Sequence, residues 1–520
     1  MANPLKNRVL LTVLLMAVLG PIWSGRVSAQ GFQTLYSFTL APGGDNIDGR
    51  NPLAGLFLAG SLLFGTAYSG GQHGSGEIFG VNTDGTGFTP YYAFSQAADN
   101  NFTSTNREGG MPQAPLVFTG TALYGVAGQL GTNGSGTVFE LSLATGVKVL
   151  HTFTAEVSEP VGNTNVDGAR PAGGLLLSGT SLYGTAEYGG AEGNGTVFKV
   201  DDTSLVFSNL HSFDVLHLNQ QFISTNRDGA NPQAGLVLSG SVLFGTTSAG
   251  GANGSGTIFC VTTNGTNFIT LHHFAALALD STQIGTTTNS DGAYPVAGLV
   301  LTNNTLYGVA EGGGLYGNGT AFSINTNGLG FTVLHTFSRG ATDPSLFGHQ
   351  YTNNEGAAPA GDMVLSGKLL YGTASTGGLY ANGTAFSLGT NGGGFATLYA
   401  FSATVPNQDY NFTNRDGAAP VGGLILSSNV LYGTTEYGGT EADGTLFSLP
   451  VLPRIGIVRS GNNVVMTWTT NVTGYTMEFT TNLAPTEDWV TNPTAPGILN
   501  GQYALTNSIS GKQKFFRLIQ

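Results

Sequence analysis

The feature that most restricts this chain is a unit that returns seven times. The string Leu-Tyr/Phe-Gly places its glycine at 65, 125, 184, 245, 308, 372 and 433, a period of 59 to 64 residues. Eleven residues after each comes the glycine of a Gly-Thr-Val-Phe-like string: Gly76, Gly136, Gly195, Gly256, Gly319, Gly383 and Gly444. Seventeen residues before each lies an acid followed by Gly: Asp48, Glu108, Asp167, Asp228, Asp291, Glu355 and Asp416. Constant offsets in seven copies mark one supersecondary unit used repeatedly, so the fold is an array built from that unit.

Each copy reads as four short strands divided by turn residues. In the fourth copy the first is the apolar run Gly235-Leu236-Val237-Leu238, which suits a strand buried on both faces. A Ser-Gly turn leads to Val242-Leu243-Phe244-Gly245-Thr246, a Gly-rich hairpin to Gly256-Thr257-Ile258-Phe259, and an Asn-Gly turn to the last strand. There Phe268, Thr270, His272 and Phe274 are expected to alternate onto one face. The seventh copy stops after Phe447, before its fourth strand, whereas Phe32-Gln33-Thr34-Leu35-Tyr36-Ser37-Phe38 matches that strand at the other end of the chain. A ring closed by pairing the termini accounts for this permutation, because it removes an exposed sheet edge. The expectation is an all-β chain: a seven-bladed β-propeller over residues 30–450, closed by the N-terminal strand.

These strings resemble the Gloeobacter/Verrucomicrobia tandem-repeat (GloVer repeat) family over roughly residues 31 to 450. The likeness is carried by segments such as Leu-Tyr-Gly-Thr-Ala-Glu-Tyr-Gly-Gly-Ala-Glu-Gly-Asn-Gly-Thr-Val-Phe at 182–198. The resemblance implies an exported bacterial protein, often with a sorting anchor, and no established activity. The chain ends at Phe515-Phe516-Arg517-Leu518-Ile519-Gln520 without the hydrophobic tail and basic cluster of such an anchor, a departure from the family's pattern that leaves the mode of cell attachment open. Residues 451–520 leave the period after Pro450 and Pro453. Their apolar and aromatic strings, Val464-Val465-Met466-Thr467-Trp468 among them, are similar to a small fibronectin-III-like β-sandwich.

Lys6 and Arg8 precede a nearly unbroken apolar stretch from Val9 to Leu19, and Val27-Ser28-Ala29 supplies small residues for cleavage. Residues 1–29 therefore read as a secretory signal peptide. As a helix the apolar stretch is only ~16 Å long at ~1.5 Å per residue, too short for a ~30 Å hydrocarbon core. No later segment is expected to span a membrane, and the location expected is extracellular or cell-surface, with the periplasm as the alternative. The single cysteine, Cys260, excludes an internal disulfide, so packing has to supply stability.

The formal charge is -13, with 17 Lys+Arg against 30 Asp+Glu, and losing residues 1–29 removes three bases and no acid, giving -16. Such a surface argues against nucleic acid as a partner. The repeats contain no Trp, which disfavours propeller families that rely on it, and no P-loop, His-Glu-x-x-His or Gly-x-Ser-x-Gly elbow offers a ready mechanism.

His151, His211, His272 and His335 resemble a metal set, but they share one repeat position with Tyr36, Tyr92 and Tyr399. Tyrosine is a poor substitute for a zinc ligand, so a flat ring with a hydrogen-bonding tip packed on phenylalanine is the better explanation. Asn46, Asn106, Asn165, Asn226, Asn289, Asn353 and Asn414 stand two residues before each acid. An oxygen pair in a Gly turn suggests calcium, but six to eight ligands are needed, and Asn and Asp also close turns by bonding backbone amides. The turn is the expectation, with calcium as the alternative, and no cofactor is expected.

Sevenfold features belong to the ring, so ligand-binding candidates are sought where the copies differ. Glu187, Glu311 and Glu436 follow the Leu-Tyr-Gly glycine by three residues in alternate copies. Tyr68, Tyr188, Tyr316, Tyr380 and Tyr437 lie in the same second-to-third-strand loops. Three carboxylates in alternate blades do not make the adjacent pair that glycoside hydrolysis uses. The expectation is a non-catalytic binding module for a glycan or extracellular protein. A polysaccharide-acting hydrolase or lyase and a structural matrix component are the alternatives.

Overall fold

The computed structural model describes residues 31–519, apart from 41–45, 101–102, 160–161, 281–285, 344–345, 347–350, 409, 452–454, 470–474, 482–488, 500–501 and 509–513. The expected signal peptide lies outside the described residues. Among those residues the chain is all-β, with no helix, and none therefore long and apolar enough to cross a membrane.

Each repeat forms an antiparallel sheet of four strands in sequence order. In the fourth repeat these are Val237–Ser239, Val242–Thr247, Thr257–Thr262 and Phe268–His273. The third repeat adds Ala169–Pro171, which pairs with the far end of Ser181–Tyr188. In the seventh, Ile425–Ser427, Val430–Thr435 and Thr445–Pro450 take their fourth partner from Gln33–Ser37, with Gln33 opposite Ser448 and Ser37 opposite Thr445. The connections between repeats are not plain loops: several carry a two-stranded ribbon, such as His217–Leu218 with Ser224–Thr225.

Two expectations about the strands need correction. The first strand is three residues long and half-buried rather than buried on both faces, because Leu236 is buried before the strand begins. In the fourth strand a bulge interrupts the alternation: Thr270 pairs with Phe259 and His272 with Ile258, so Leu271 is the extra residue. One additional residue reverses every side chain after it. Phe268 thus stacks on His211 of the preceding repeat, while His272 stacks on Phe331 of the following one.

Two repeated glycines explain how the sheets approach. A Cβ on the Leu-Tyr/Phe-Gly glycine would come 2.5–2.7 Å from Cζ of the Phe in the neighbouring Gly-Thr-Val-Phe strand, as at Gly308 and Phe322. The glycine leaves room for that ring. The Gly-Thr glycine has φ between 92° and 101°, and a Cβ there would sit 2.5–2.7 Å from Cδ of the next repeat's proline. Pro52 makes this contact with Gly444, which joins the first repeat to the seventh.

The core lies between successive sheets. Tyr183, Val197 and Phe213 of the third repeat pack with Leu236, Leu243 and Phe259 of the fourth. Leu35, Phe38, Leu56 and Phe79 cluster with Tyr432 and Leu446 across the join between first and seventh repeats. Fully burying one such side chain contributes roughly 1.5–3 kcal/mol. Beyond Val451, the strands Gly456–Ser460, Asn463–Thr469, Gln502–Ser508 and Gly497–Leu499 make one sheet. Val490–Thr491, Thr476–Thr480 and Phe515–Ile519 make another, with Met466, Trp468, Met477, Leu505 and Leu518 buried together.

Candidate functional site

The sevenfold polar residues are used inside the framework. Asn226 Oδ1 accepts from the N–H of Gly229 at 2.9 Å and Gly251 at 2.7 Å, while Nδ2 donates to the carbonyls of Asp214 and Gly229. The same four bonds recur at Asn46, Asn106, Asn165, Asn289, Asn353 and Asn414. With both N–H groups and both oxygen lone pairs in use, the carboxamide is a turn clip.

The acid two residues later latches the fourth strand. Asp228 Oδ2 lies 2.8 Å from His211 Nε2 and also accepts from the N–H of Asp214. His151, His272 and His335 meet Asp167, Asp291 and Glu355 in the same way, and the Tyr36 and Tyr399 hydroxyls donate to Asp48 and Asp416. Each of these rings stacks at 3.7–3.9 Å on a phenylalanine of the following repeat: His151 on Phe207, His335 on Phe395, Tyr36 on Phe88 and Tyr399 on Phe32 are examples. Burial holds the His335 imidazole below its ordinary range, against the opposing pull of Glu355. Among the described residues, no three His, Cys, Asp or Glu side chains are placed to share a metal ion.

Residues that break the sevenfold pattern gather elsewhere. A well of about 310 Å³ is lined by one residue from every repeat, the one after each repeat's proline: Leu53, Gln113, Ala172, Gln233, Val296, Ala360 and Val421. Glu187, Asp362 and Glu436 also line it. Glu187 accepts from Gln233 Nε2 at 2.9 Å. Asp362 Oδ1 accepts from the N–H of Gly298 at 2.6 Å, and the surrounding protein raises the carboxyl above its usual range. Burial raises Glu436 too, while Tyr437, bonded to it, is pushed up to about 12 chiefly by that hydrogen bond.

The other candidates separate. Tyr188 lines a second cavity, of about 570 Å³, between the second and third repeats. Glu311 is half-buried, its carboxyl raised by that burial, and does not line the well. The Tyr68 hydroxyl accepts from Gln129 Nε2 at 3.0 Å. Tyr316 lies under the Arg339 guanidinium at 5.7 Å, and Tyr380 is exposed on its loop.

Three residues escaped the sequence analysis although the repeat register marks each of them. Asp362 stands where most copies have Gly, as at Gly55, Gly174, Gly235, Gly298 and Gly423. Arg170 shares its position with Asn51, Met111, Asn231, Tyr294, Ala358 and Ala419. Glu77 replaces the threonine of the other six copies; it is buried, Oε1 has no hydrogen-bond partner, and burial with the nearby Asp48 charge pushes its pKa up to about 8.

The Gloeobacter/Verrucomicrobia repeat matches residues 100–275 and 217–350. No curated protein matches the chain. Among solved structures, oligogalacturonate lyase in complex with manganese is similar at 13% identity and a TM-score of 0.40, over 78% of this chain and 90% of that one. A candidate 6-phosphogluconolactonase of Bacteroides fragilis is similar at 14% and 0.41, over 90% and 98%. TolB from Acinetobacter baumannii is similar at 14% and 0.32, over 61% of this chain and 58% of TolB, so less than two thirds of that protein is spanned. Likenesses at this level say nothing about chemistry.

Proposed function

Because residues 100–350 belong to the Gloeobacter/Verrucomicrobia repeat family, we propose that this is an exported, non-catalytic binding module of the extracellular space or cell surface. The seven repeat sheets of residues 30–450 are the blades of a closed β-propeller, and residues 451–520 are a small β-sandwich attached to it. The pairing of Gln33–Ser37 with Thr445–Pro450 and a well lined by all seven repeats support the ring. The well and the adjacent loops bind a glycan or a partner protein. The observation that carries this reading is the division of labour among polar residues: the sevenfold set is used in clips and latches, whereas Glu187, Asp362, Glu436, Gln113 and Gln233 converge on one opening. A glycan array with the purified protein tests it. Replacing Tyr188 and Tyr437 together with Ala should weaken any ligand by roughly 1–3 kcal/mol without unfolding the ring. Unchanged binding in that variant removes the loops from the site.

Two of these acids, Asp362 and Glu436, favour one second reading, a polysaccharide hydrolase or lyase, since carboxyls raised by the protein around a cavity suit general acid catalysis. Incubating the array's ligands with the protein and measuring new reducing ends or unsaturated products separates the two. Release that disappears in Glu436→Gln or Asp362→Asn establishes the enzyme, and stable binding without release establishes the module.

A further inference from the structure

The cavity between the second and third repeats differs from the well in holding a cation. Arg170 projects into it from a backbone with φ of 51°, its own N–H fixed to the Ser135 carbonyl at 2.9 Å. The guanidinium lies 5.1 Å above the Tyr188 ring, and Nη1 is 3.7 Å from Glu187 Oε2, an ion-pair distance beyond hydrogen-bond reach. Among the described residues its side-chain N–H groups have no hydrogen-bond acceptor, and they face a cavity that also contains Glu156, Gln129, Asn163, Asn194 and Asn231.

The chemistry of that lining narrows the ligand. One guanidinium paired with Glu187, in a cleft that also holds Glu156, whose carboxyl burial raises above its usual range, leaves no excess positive charge to attract uronate, sulfate or phosphate groups. The same guanidinium opposes a cationic ligand. What remains complementary is a neutral molecule rich in hydroxyls: guanidinium N–H groups donate to hydroxyl and ring oxygens, carboxylates accept from hydroxyls, and a tyrosine ring offers a flat apolar face. The volume of about 570 Å³ falls in the ordinary range of small-ligand sites. Glu187, which lines the well rather than the cleft, is held by Gln233 and lies 3.7 Å from the guanidinium, so it helps to place Arg170 before binding. Glu187 lines the well and its chain neighbour Tyr188 lines the cleft, so the two cavities adjoin at these residues.

We propose that the cleft around Arg170 and Tyr188 is a subsite for a neutral oligosaccharide. The proposal rests on the binding-module reading and gives it a ligand class and a place.

Other repeats supply the substitutions that test it without disturbing the backbone. Arg170→Asn installs the residue found at Asn51 and Asn231, and Tyr188→Ala installs that of Ala249. Cellopentaose, xylopentaose, mannopentaose and chitopentaose, with trigalacturonate as the anionic comparison, are titrated calorimetrically into the protein and both variants. The expected result is binding of at least one neutral member, weaker or absent binding of trigalacturonate, and at least a tenfold loss in each variant, about 1.4 kcal/mol, with unchanged melting temperature. Preference for trigalacturonate, or wild-type affinity in both variants, overturns the proposal. Binding that survives both cleft variants but is lost in Glu436→Gln overturns the cleft and leaves the well standing. No binding by any neutral member overturns the glycan subsite and leaves the protein-partner form of the reading.

Discussion

Phe32 stacks on Tyr399 with centroids 3.9 Å apart and planes 7° from parallel, which fastens the start of the described chain to its sixth repeat. Between other repeats the equivalent contact is His211 on Phe268 or Tyr36 on Phe88. The join made by the N-terminal strand thus reproduces the ordinary contact between neighbours.

Deleting residues 30–39 removes this stack together with the Gln33–Ser37 pairing. The expected outcome is an unpaired edge at Thr445–Pro450, a melting temperature lower by several degrees, and aggregation in light scattering. Phe32→Ala alone should destabilise by roughly 2 kcal/mol, combining lost burial with a stacking contribution of ~0.5–1.5 kcal/mol. A deletion variant as stable and monomeric as the parent would contradict closure.

The ring at the latch position should be exchangeable for another ring of similar shape. His211→Tyr keeps a stacked face and a donor for Asp228, as Tyr36 does for Asp48, and is expected to change stability by less than about 1 kcal/mol. His211→Ala should cost about 2–4 kcal/mol by leaving a cavity and a buried carboxylate short of a partner. Equal losses in the two variants, measured by urea unfolding, would show that the imidazole has a separate role.

Chelation is expected to leave the melting temperature unchanged, because each repeat's Asn already uses all its hydrogen-bonding capacity on backbone, as Asn226 does. By contrast, Asn226→Ala should destabilise by about 2–3 kcal/mol, since several backbone groups lose their partner at once. A loss on chelation that added calcium reverses would overturn the clip.

Glu77 supplies a pH dependence of definite sign. Its pKa rises from the ordinary 4.5 to about 8, first through burial and then through Asp48. The folded chain therefore binds a proton there that the unfolded chain releases above 4.5. This contribution to stability is fully present below pH 4.5 and is lost as pH rises to about 8. In six copies a threonine stands here and its Oγ1 donates to the acid's carbonyl at 2.7–3.2 Å, as Thr257 does to Asp228. Glu77→Thr should flatten the slope between those pH values and stabilise the chain at pH 8 by about 1–3 kcal/mol, the scale of relieving an unpaired buried group. An unchanged slope in thermal melts across that window would show that Glu77 titrates normally.

What the sequence determined by itself is what local chemistry controls. Glycine and turn spacing set the strands of every repeat, and the displaced Phe32–Phe38 string already marked the partner that Thr445–Pro450 lacks. The His/Tyr equivalence already argued for a packed ring rather than a metal ligand. Only the tertiary structure decided where those rings point, because one bulged residue, Leu271, reverses the alternation that a strand pattern assumes. It also decided which candidates meet: Glu187 and Glu436 share a well with Asp362, whereas Glu311 does not line it. Periodicity places residues along one repeat, but a cavity is made where different repeats converge. That convergence depends on packing between sheets, for which spacing along the chain has no signal.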